Sequence, residues 1–143
     1  MIKQLSVFVE NQTGRLAEVM SSIAEAGINI KALSIADTTE FGILRLIVDG
    51  AESAKEILKT QGLSVKVTEV LAVALEDRPG GLAEILSELK RVGASIEYIY
   101  ASSSYSHAAP AMAIISISNQ PEVLESLKKT SIRLLTQEDI NNN

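Results

Sequence analysis

The sequence predicts an α+β protein made of two consecutive βαββαβ units, with domain 1 spanning 1–69 and domain 2 spanning 70–143. Residues 5–30 align with residues 71–96 at an offset of 66, and ten of these 26 positions are identical. In both copies, segments whose apolar residues alternate, as in strands, and segments with helical spacing follow each other in the same order. No Gly/Ser-rich or Pro-rich linker separates the copies, so we expect them to be held in a fixed relation.

The first copy begins with a strand and a helix. Leu5, Val7 and Val9 alternate with residues of the opposite face, which is typical of a half-buried strand. The next apolar residues fall at helical spacing and form one stripe, made of Leu16, Val19, Ile23 and Ala26. Gly27 then stands where the end of a helix favours positive φ.

Two strands, a helix and a last strand complete the first copy. We expect strands over residues 29–36 and 42–49, joined by the polar turn 37–40. A short helix over residues 51–61 follows, and alternation over residues 63–67 indicates the fourth strand.

The second copy repeats this plan, with about three extra residues near 105–109. The stripe of its first helix consists of Leu82, Ile85, Leu86, Leu89 and Val92. Strands are expected over residues 95–102 and 112–118. A helix then runs from Pro121, which suits a first turn, to Lys129, and a closing strand covers 132–136.

Two helices can cover only one face of a four-stranded antiparallel sheet, so the other face meets water or a neighbour. Phe8 and Ile43 fall on that open face. They are either part of a dimer surface or ordinary exposed apolar residues, and the sequence leaves both interpretations open.

Composition limits the classes of function. The formal net charge is −5, which argues against a nucleic-acid partner, and the chain has no cysteine. The absence of cysteine removes disulfide and thiolate chemistry and suits the cytoplasm. Residues 1–6 lack the apolar core of a signal peptide, and the most apolar stretch, 108–115, is too short to span a bilayer. We therefore expect a cytoplasmic protein without a membrane partner.

The sequence contains no motif typical of catalysis or metal binding. His107 is the single histidine and cannot form a typical zinc site alone; we interpret it as a solvated loop residue, with a ligand contact as the alternative. No glycine-rich turn is followed by the lysine and hydroxyl of a phosphate-binding loop. The middle strands lack the aromatic and basic residues that bind single-stranded RNA. We expect no cofactor, no metal and no enzymatic activity.

The feature that recurs most clearly is a strand–turn–helix corner. The first corner covers residues 10–17 and the second corner covers residues 76–83. The first turn of a helix has backbone N–H groups without partners, which can bind an anion. Gly14 and Gly80 lack a Cβ, so a ligand can approach closely. The alternative is that these glycines only make the turn and the polar residues beside them only start the helix.

The second corner, followed by residues 93–96, resembles the ACT domain family, and so does the first corner with residues 27–30. The resemblance covers essentially the whole chain as two tandem domains. It implies ferredoxin-like βαββαβ folds that act as amino-acid-binding regulatory modules. It also implies that two modules join side by side into an eight-stranded antiparallel sheet. A ligand would lie between the first loop of one module and the start of the second strand of its partner.

The resemblance also implies the ligand-binding residues. Asn11 and Asn29 match two asparagines that hold the effector in the serine-sensing domain of phosphoglycerate dehydrogenases, whereas the second copy has Asp77 and Ser95 there. Pro79 matches a loop proline of the family, and the first copy departs from it with a threonine. The candidate set is Asn11, Gln12, Thr13, Gly14, Arg15, Leu16, Asn29 and Ile30, with Asp77, Arg78, Pro79, Gly80, Gly81, Leu82, Ser95 and Ile96.

The expected function is regulatory. The protein, which we expect to be a homodimer, would bind a small amino acid between its repeats or across the dimer. It would signal this state to a metabolic enzyme or a transporter. Pocket walls made of Leu16, Ile30, Leu82 and Ile96 would admit a modest apolar side chain. Tyr98, Tyr100 and His107 could instead contact a ring.

Two alternatives remain. The first is a regulatory subunit similar to the small subunit of acetohydroxyacid synthase, acting mainly through protein contacts. The second is an enzyme, because acylphosphatases share this strand order. Their phosphate-binding loop needs a suitably placed arginine and an asparagine, and Arg15 and Arg78 are the only arginines near the corners.

Overall fold

A computed structural model of the chain, which describes residues 1–37, 40–106 and 109–142, follows the βαββαβ order twice. The first repeat contains β1 (Ile2–Glu10), α1 (Arg15–Glu25), β2 (Ile30–Asp37), β3 (Phe41–Val48), α2 (Ala51–Thr60) and the start of β4 (Ser64–Leu75). The second repeat contains the end of β4, α3 (Gly81–Arg91), β5 (Ile96–Ser106), β6 (Ala109–Ile117), α4 (Gln120–Leu127) and α5 (Gln137–Asn141).

One compact unit comprises Lys3–Glu69 with Ile140–Asn142. Its strands lie in the order β2-β3-β1-β4, and both β1 and β2 pair antiparallel with β3. The apolar stripes of α1 and α2 pack against one face of these strands. The core consists of Leu5, Val7, Val9, Val19, Ile23, Leu44, Leu46, Val48, Ala51, Ala54, Leu58 and Leu63. Burial of each large aliphatic side chain contributes about 1.5–3 kcal/mol, so this face fixes the register of the strands.

The other compact unit comprises Met1–Ile2 with Val70–Asp139. Its strands lie in the order β4-β6-β5, and β6 pairs antiparallel with both neighbours. The stripes of α3 and α4 pack against one face. The core consists of Leu71, Val73, Leu89, Ala113, Ile115, Ile117, Val123 and Leu127.

The junction between the repeats is a continuous strand. β4 runs from Ser64 to Leu75 without interruption, so the chain passes directly from the last strand of the first repeat into the first strand of the second. This agrees with the missing linker in the sequence.

The closing strand predicted over residues 132–136 is much shorter than expected. It consists of one bridge between Leu134 and Val73. The two flanking hydrogen bonds run from the Ala74 N–H to the Arg133 carbonyl (2.9 Å) and from the Leu135 N–H to the Ala72 carbonyl (2.8 Å).

The reason for this early end is a helix cap. The backbone N–H and the hydroxyl of Thr136 both donate to the Asp139 carboxylate, at 2.7 and 2.8 Å. The Thr136 donors therefore serve the start of α5 and cannot extend a strand. The apolar periodicity of the sequence does not predict α5.

The α+β class and the twice-repeated antiparallel βαββαβ order are confirmed. The described residues form six strands, and the eight-stranded joint sheet stays a prediction. Thr38, Thr39 and His107 lie outside the described residues. Within the described ranges, no helix is long and apolar enough to cross a membrane.

Candidate functional site

The first corner is a tight turn held by backbone hydrogen bonds. The Gln12 N–H donates to the Glu10 carbonyl at 2.8 Å, and the Arg15 N–H donates to the Gln12 carbonyl at 3.2 Å. Gly14 has a φ of 84°, in the left-handed region that favours glycine. A further hydrogen bond joins the turn to the residue before β3: the Asn11 N–H donates to the Glu40 carbonyl at 3.1 Å.

The second corner repeats this geometry. The Arg78 N–H donates to the Glu76 carbonyl at 2.9 Å, and the Gly81 N–H donates to the Arg78 carbonyl at 3.1 Å. Gly80 has a φ of 88°. The two corners therefore use the same turn, as their sequence similarity predicts.

Both corners leave a pair of backbone donors at the helix start. The first N–H groups to find intrahelical partners are those of Glu18 and Glu84, which donate to the carbonyls of Gly14 and Gly80 at 3.1 and 3.0 Å. Ahead of them, the N–H groups of Leu16, Ala17, Leu82 and Ala83 have no acceptor among the residues that the structure describes. The positive end of the helix dipole adds to these donors, so each corner can hold a carboxylate.

The first corner adjoins a cavity of about 100 Å³. Three candidate residues from the sequence, Asn11, Gln12 and Leu16, line this cavity. The other lining residues come from the three neighbouring strands; they are Val9, Glu10, Ile35, Gly42 and Leu44. Leu16 is 39% exposed and Ile35 is 47% exposed, so the cavity has an apolar and accessible wall.

The strand residues of this cavity are absent from the sequence-based candidate set. Ile35, Gly42 and Leu44 are far from the corner in sequence, and only the antiparallel register brings them beside it. The signal that could have found them is the pairing of the alternating strands, because residues opposite each other share a face.

The second corner is closed on one side by an ion-pair network. The Arg78 guanidinium donates to the Glu76 carboxylate and binds both oxygens of Glu84, at 2.9 and 2.8 Å. The hydrogen bonds that the guanidinium donates to Glu76 and then to Glu84 raise the pKa of Arg78 above its usual range. The matching position of the first corner is Gln12, whose side chain carries no guanidinium. Arg78 is therefore engaged within its own module.

A second cavity, of about 310 Å³, lies between α3 and residues 131–133. Arg78 and Gly81 line it, whereas Asp77, Pro79 and Leu82 do not. The five candidates Asp77, Arg78, Pro79, Gly80 and Leu82 are exposed, and Gly81 is buried.

The residues before the second strand of each repeat lie far from the corner of the same repeat. The Asn29 N–H donates to the Asp49 carboxylate at 3.0 Å, and the Ser95 N–H donates to the Asn119 side-chain oxygen at 2.9 Å. Their backbone donors are therefore occupied, and only their side chains are available to a ligand. Ile30 packs partly buried against the core, while Ile96 is 39% exposed.

An ion pair lies on the helix surface at the first corner. Arg15 pairs with Glu18 at 3.0 Å on the helix surface. Within residues 1–37, 40–106 and 109–142, no group of three or more His, Cys, Asp or Glu side chains could hold a metal ion.

Comparison with known proteins gives a family match and several structural matches. The chain matches the family model described as "ACT domain pair" over residues 1–142. A protein of Bacteroides thetaiotaomicron with a known crystal structure is 37% identical; the match covers 99% of this chain and 96% of that one, with a TM-score of 0.88. A search of curated proteins finds no match.

Two more distant structures share the fold. The ligand-free regulatory subunit of aspartate kinase from Thermus thermophilus is 20% identical over 90% of this chain and 91% of that one, with a TM-score of 0.63. The corresponding subunit from Thermus flavus is 19% identical over 89% and 90%, with a TM-score of 0.58.

Proposed function

Because the chain belongs to the family of ACT domain pairs, we propose that it is a non-catalytic regulatory protein that binds a small amino-acid effector. The effector lies between ACT modules, and its bound state acts on a metabolic enzyme or a transporter. The observation that carries this proposal is the first corner, where two unpaired backbone donors adjoin a cavity lined by Asn11 and Leu16.

The chemistry of this corner suits a zwitterion. The N–H groups of Leu16 and Ala17 would receive the effector carboxylate, helped by the helix dipole. The Asn11 side-chain oxygen would accept a hydrogen bond from the ammonium group. The apolar wall beside Leu16 would contact the side chain.

The charge-assisted hydrogen bonds at this corner set the expected affinity for the effector. A hydrogen bond to a charged group contributes about 1.5–3 kcal/mol net. Two or three such bonds, partly offset by the loss of ligand freedom, correspond to a Kd between micromolar and millimolar. This range suits the sensing of a metabolite.

The same groups argue against catalysis. Backbone amides, an asparagine and aliphatic side chains do not titrate near neutral pH, so they can hold an ion without transferring a proton. These groups are therefore better suited to recognition than to acid–base chemistry.

A second module would complete the site. Asn29 lies at the far end of the sheet from Asn11, so the two can share one ligand only if they come from different modules. We propose a homodimer in which the first corner of one chain faces the Asn29 end of β2 in the other.

One alternative also has support from the described residues. Phe8 pairs with Ile43 on the sheet face opposite α1 and α2, and Phe8 and Phe41 are 44% and 47% exposed. This apolar surface suits a regulatory subunit that works mainly through contact with an enzyme. The regulatory subunit of aspartate kinase from Thermus thermophilus has the same fold over 91% of its length, so a regulatory subunit can have this fold and about this size.

A thermal-shift screen of the intact chain against the common amino acids tests the proposal. Stabilisation by one or a few of them at millimolar concentration is expected. Stabilisation by none of them, together with co-purification of an enzyme that is lost in a Phe8→Ser variant, would favour the alternative.

A further inference from the structure

We propose that Gly42 determines the specificity of the first corner, by leaving a hollow that takes a short aliphatic side chain of the effector. This inference rests on the proposed function, since it specifies which amino acids the corner binds. The rows of side chains across the first-repeat sheet have a gap at Gly42.

The rows follow from the strand register. Val7, Leu44 and Ile35 lie opposite one another across β1, β3 and β2, and their side chains share the helix-covered face. The next row along β1 and β3 pairs Val9 with Gly42. Gly42 contributes no side chain to this row, and the cavity of about 100 Å³ lies there.

Neither the backbone nor the packing explains the glycine. Gly42 does not have a positive φ, so any residue could adopt its backbone conformation. A Cβ added there would meet Ile35 Cγ2 at 3.5 Å and the carbonyl oxygens of Ala36 and Val9 at 3.9 Å, which are ordinary contacts. Glycine weakens a strand and often marks the close approach of a ligand.

The second repeat offers a natural comparison. Its residue in the matching register is Ala111, which lies opposite Leu75 and is buried. The second corner therefore already carries the methyl group that the first corner lacks. This difference favours the first corner as the working site.

The size and chemistry of the hollow indicate the ligand class. Pockets that enclose a whole drug-sized ligand measure about 300–1,000 Å³, so a cavity of about 100 Å³ holds a side chain only. Leu16, Ile35, Leu44 and Val9 give it apolar walls. We assign it an uncharged aliphatic side chain of about three carbons, as in valine.

Calorimetric titration of the intact chain with glycine, alanine, valine, leucine, phenylalanine and lysine tests this assignment. The wild type should prefer valine. Gly42→Ala should reduce the preference for valine over alanine by about tenfold or more, because one methylene in an apolar pocket is worth about 10–200-fold. Ile35→Ala widens the same hollow and should shift the preference toward larger aliphatic side chains.

Gly50→Ala is the matched control. It also adds one methyl group at a residue without positive φ, with its nearest contacts at 3.7–3.9 Å, and should leave the preference unchanged. Binding with an unchanged valine-to-alanine ratio in Gly42→Ala and Ile35→Ala would overturn this inference and leave effector binding intact. A wild-type preference for phenylalanine or lysine would also overturn this inference. If no amino acid binds the wild type, the proposed function fails first, and this inference fails with it.

Discussion

Asn11 and Asn29 lie at opposite ends of one antiparallel sheet. Asn11 is bonded through its N–H to Glu40, beside the start of β3, and Asn29 is bonded to Asp49, just past the end of β3. β3 pairs with β1 at Gly42 and with β2 at Val48, and these positions are about 20 Å apart at about 3.4 Å per residue. One module alone therefore cannot bring both side chains to a small ligand.

This separation predicts complementation between two defective chains. Asn11→Ala and Asn29→Ala should each abolish effector binding when pure. Mixed dimers, isolated from co-expression with two different tags, contain one site with both asparagines intact. Calorimetry of these dimers should therefore recover binding at half the wild-type stoichiometry, with wild-type affinity.

Two results would contradict the shared site. Mixed dimers that bind nothing would mean that Asn11 and Asn29 of different chains do not meet. Full binding by the pure Asn29→Ala variant would mean that this asparagine takes no part.

Gly81→Ala should destabilise the second repeat. A Cβ at this position would lie 2.4 Å from the Glu76 carbonyl oxygen, so the turn must shift. Overpacking of this kind typically costs about 1–3 kcal/mol. Urea unfolding should show a lower midpoint, with Gly50→Ala as the control, because its added methyl group meets only ordinary contacts. An unchanged midpoint for Gly81→Ala would mean that the turn can move away from the added methyl group without loss of stability.

The cap of α5 predicts a pH-dependent contribution to stability. Hydrogen bonds from the Thr136 backbone N–H and then from its hydroxyl lower the pKa of Asp139 below its ordinary value of 3.8. A carboxyl whose pKa is lower in the folded state stabilises the fold above its unfolded pKa. This stabilisation is lost as the pH falls through the folded pKa.

Asp139→Asn and Thr136→Ala should therefore lower stability at neutral pH, by about 1 kcal/mol for loss of the threonine cap. Thr136→Ser, which keeps the hydroxyl, should stay close to wild type. Thermal unfolding at pH 7 and at pH 3 checks this, because the gap between wild type and Asp139→Asn should narrow at the lower pH. A gap that is equal at both values would rule out the ionised cap.

Much of the fold follows from the sequence because periodicity and burial agree. One core contains the alternating strand residues and the helix stripe that the sequence predicts; they are Leu5, Val7 and Val9 from the strand and Val19 and Ile23 from the helix. The ACT resemblance drawn from the two corners is confirmed by the family match over residues 1–142.

The short closing strand was missed because local hydrogen bonding competes with strand pairing. Residues 132–136 alternate like a strand, but the Thr136 cap ends the pairing at Leu135. The threonine and aspartate spacing of this cap is visible in the sequence and could have predicted α5.

The candidate site was only partly predictable, because one of its walls depends on strand register. Asn11, Gln12 and Leu16 belong to the corner motif and line the cavity. Ile35 and Gly42 come into place through pairing with β3 and β1, which no local pattern specifies. Ile30 and Ile96 stay predictions for the wall that a partner module would supply.

Effector binding at the first corner is tested most directly by calorimetric titration of wild type, Gly14→Asp and Gly14→Asn with the amino acid that stabilises the chain best. Gly14 has a φ of +84° and no atom within 4 Å of an added Cβ, and aspartate and asparagine both tolerate this region. The two variants therefore differ mainly in charge. Gly62→Asp places the same carboxylate at another positive-φ glycine with open space, away from the corners.

The expected result is a micromolar to millimolar Kd that is retained in Gly14→Asn and Gly62→Asp and lost in Gly14→Asp, because a fixed carboxylate repels the ligand carboxylate. Binding that survives Gly14→Asp would contradict a working site at the first corner. Loss of binding only in Gly80→Asp, the matching variant of the second corner, would contradict it as well.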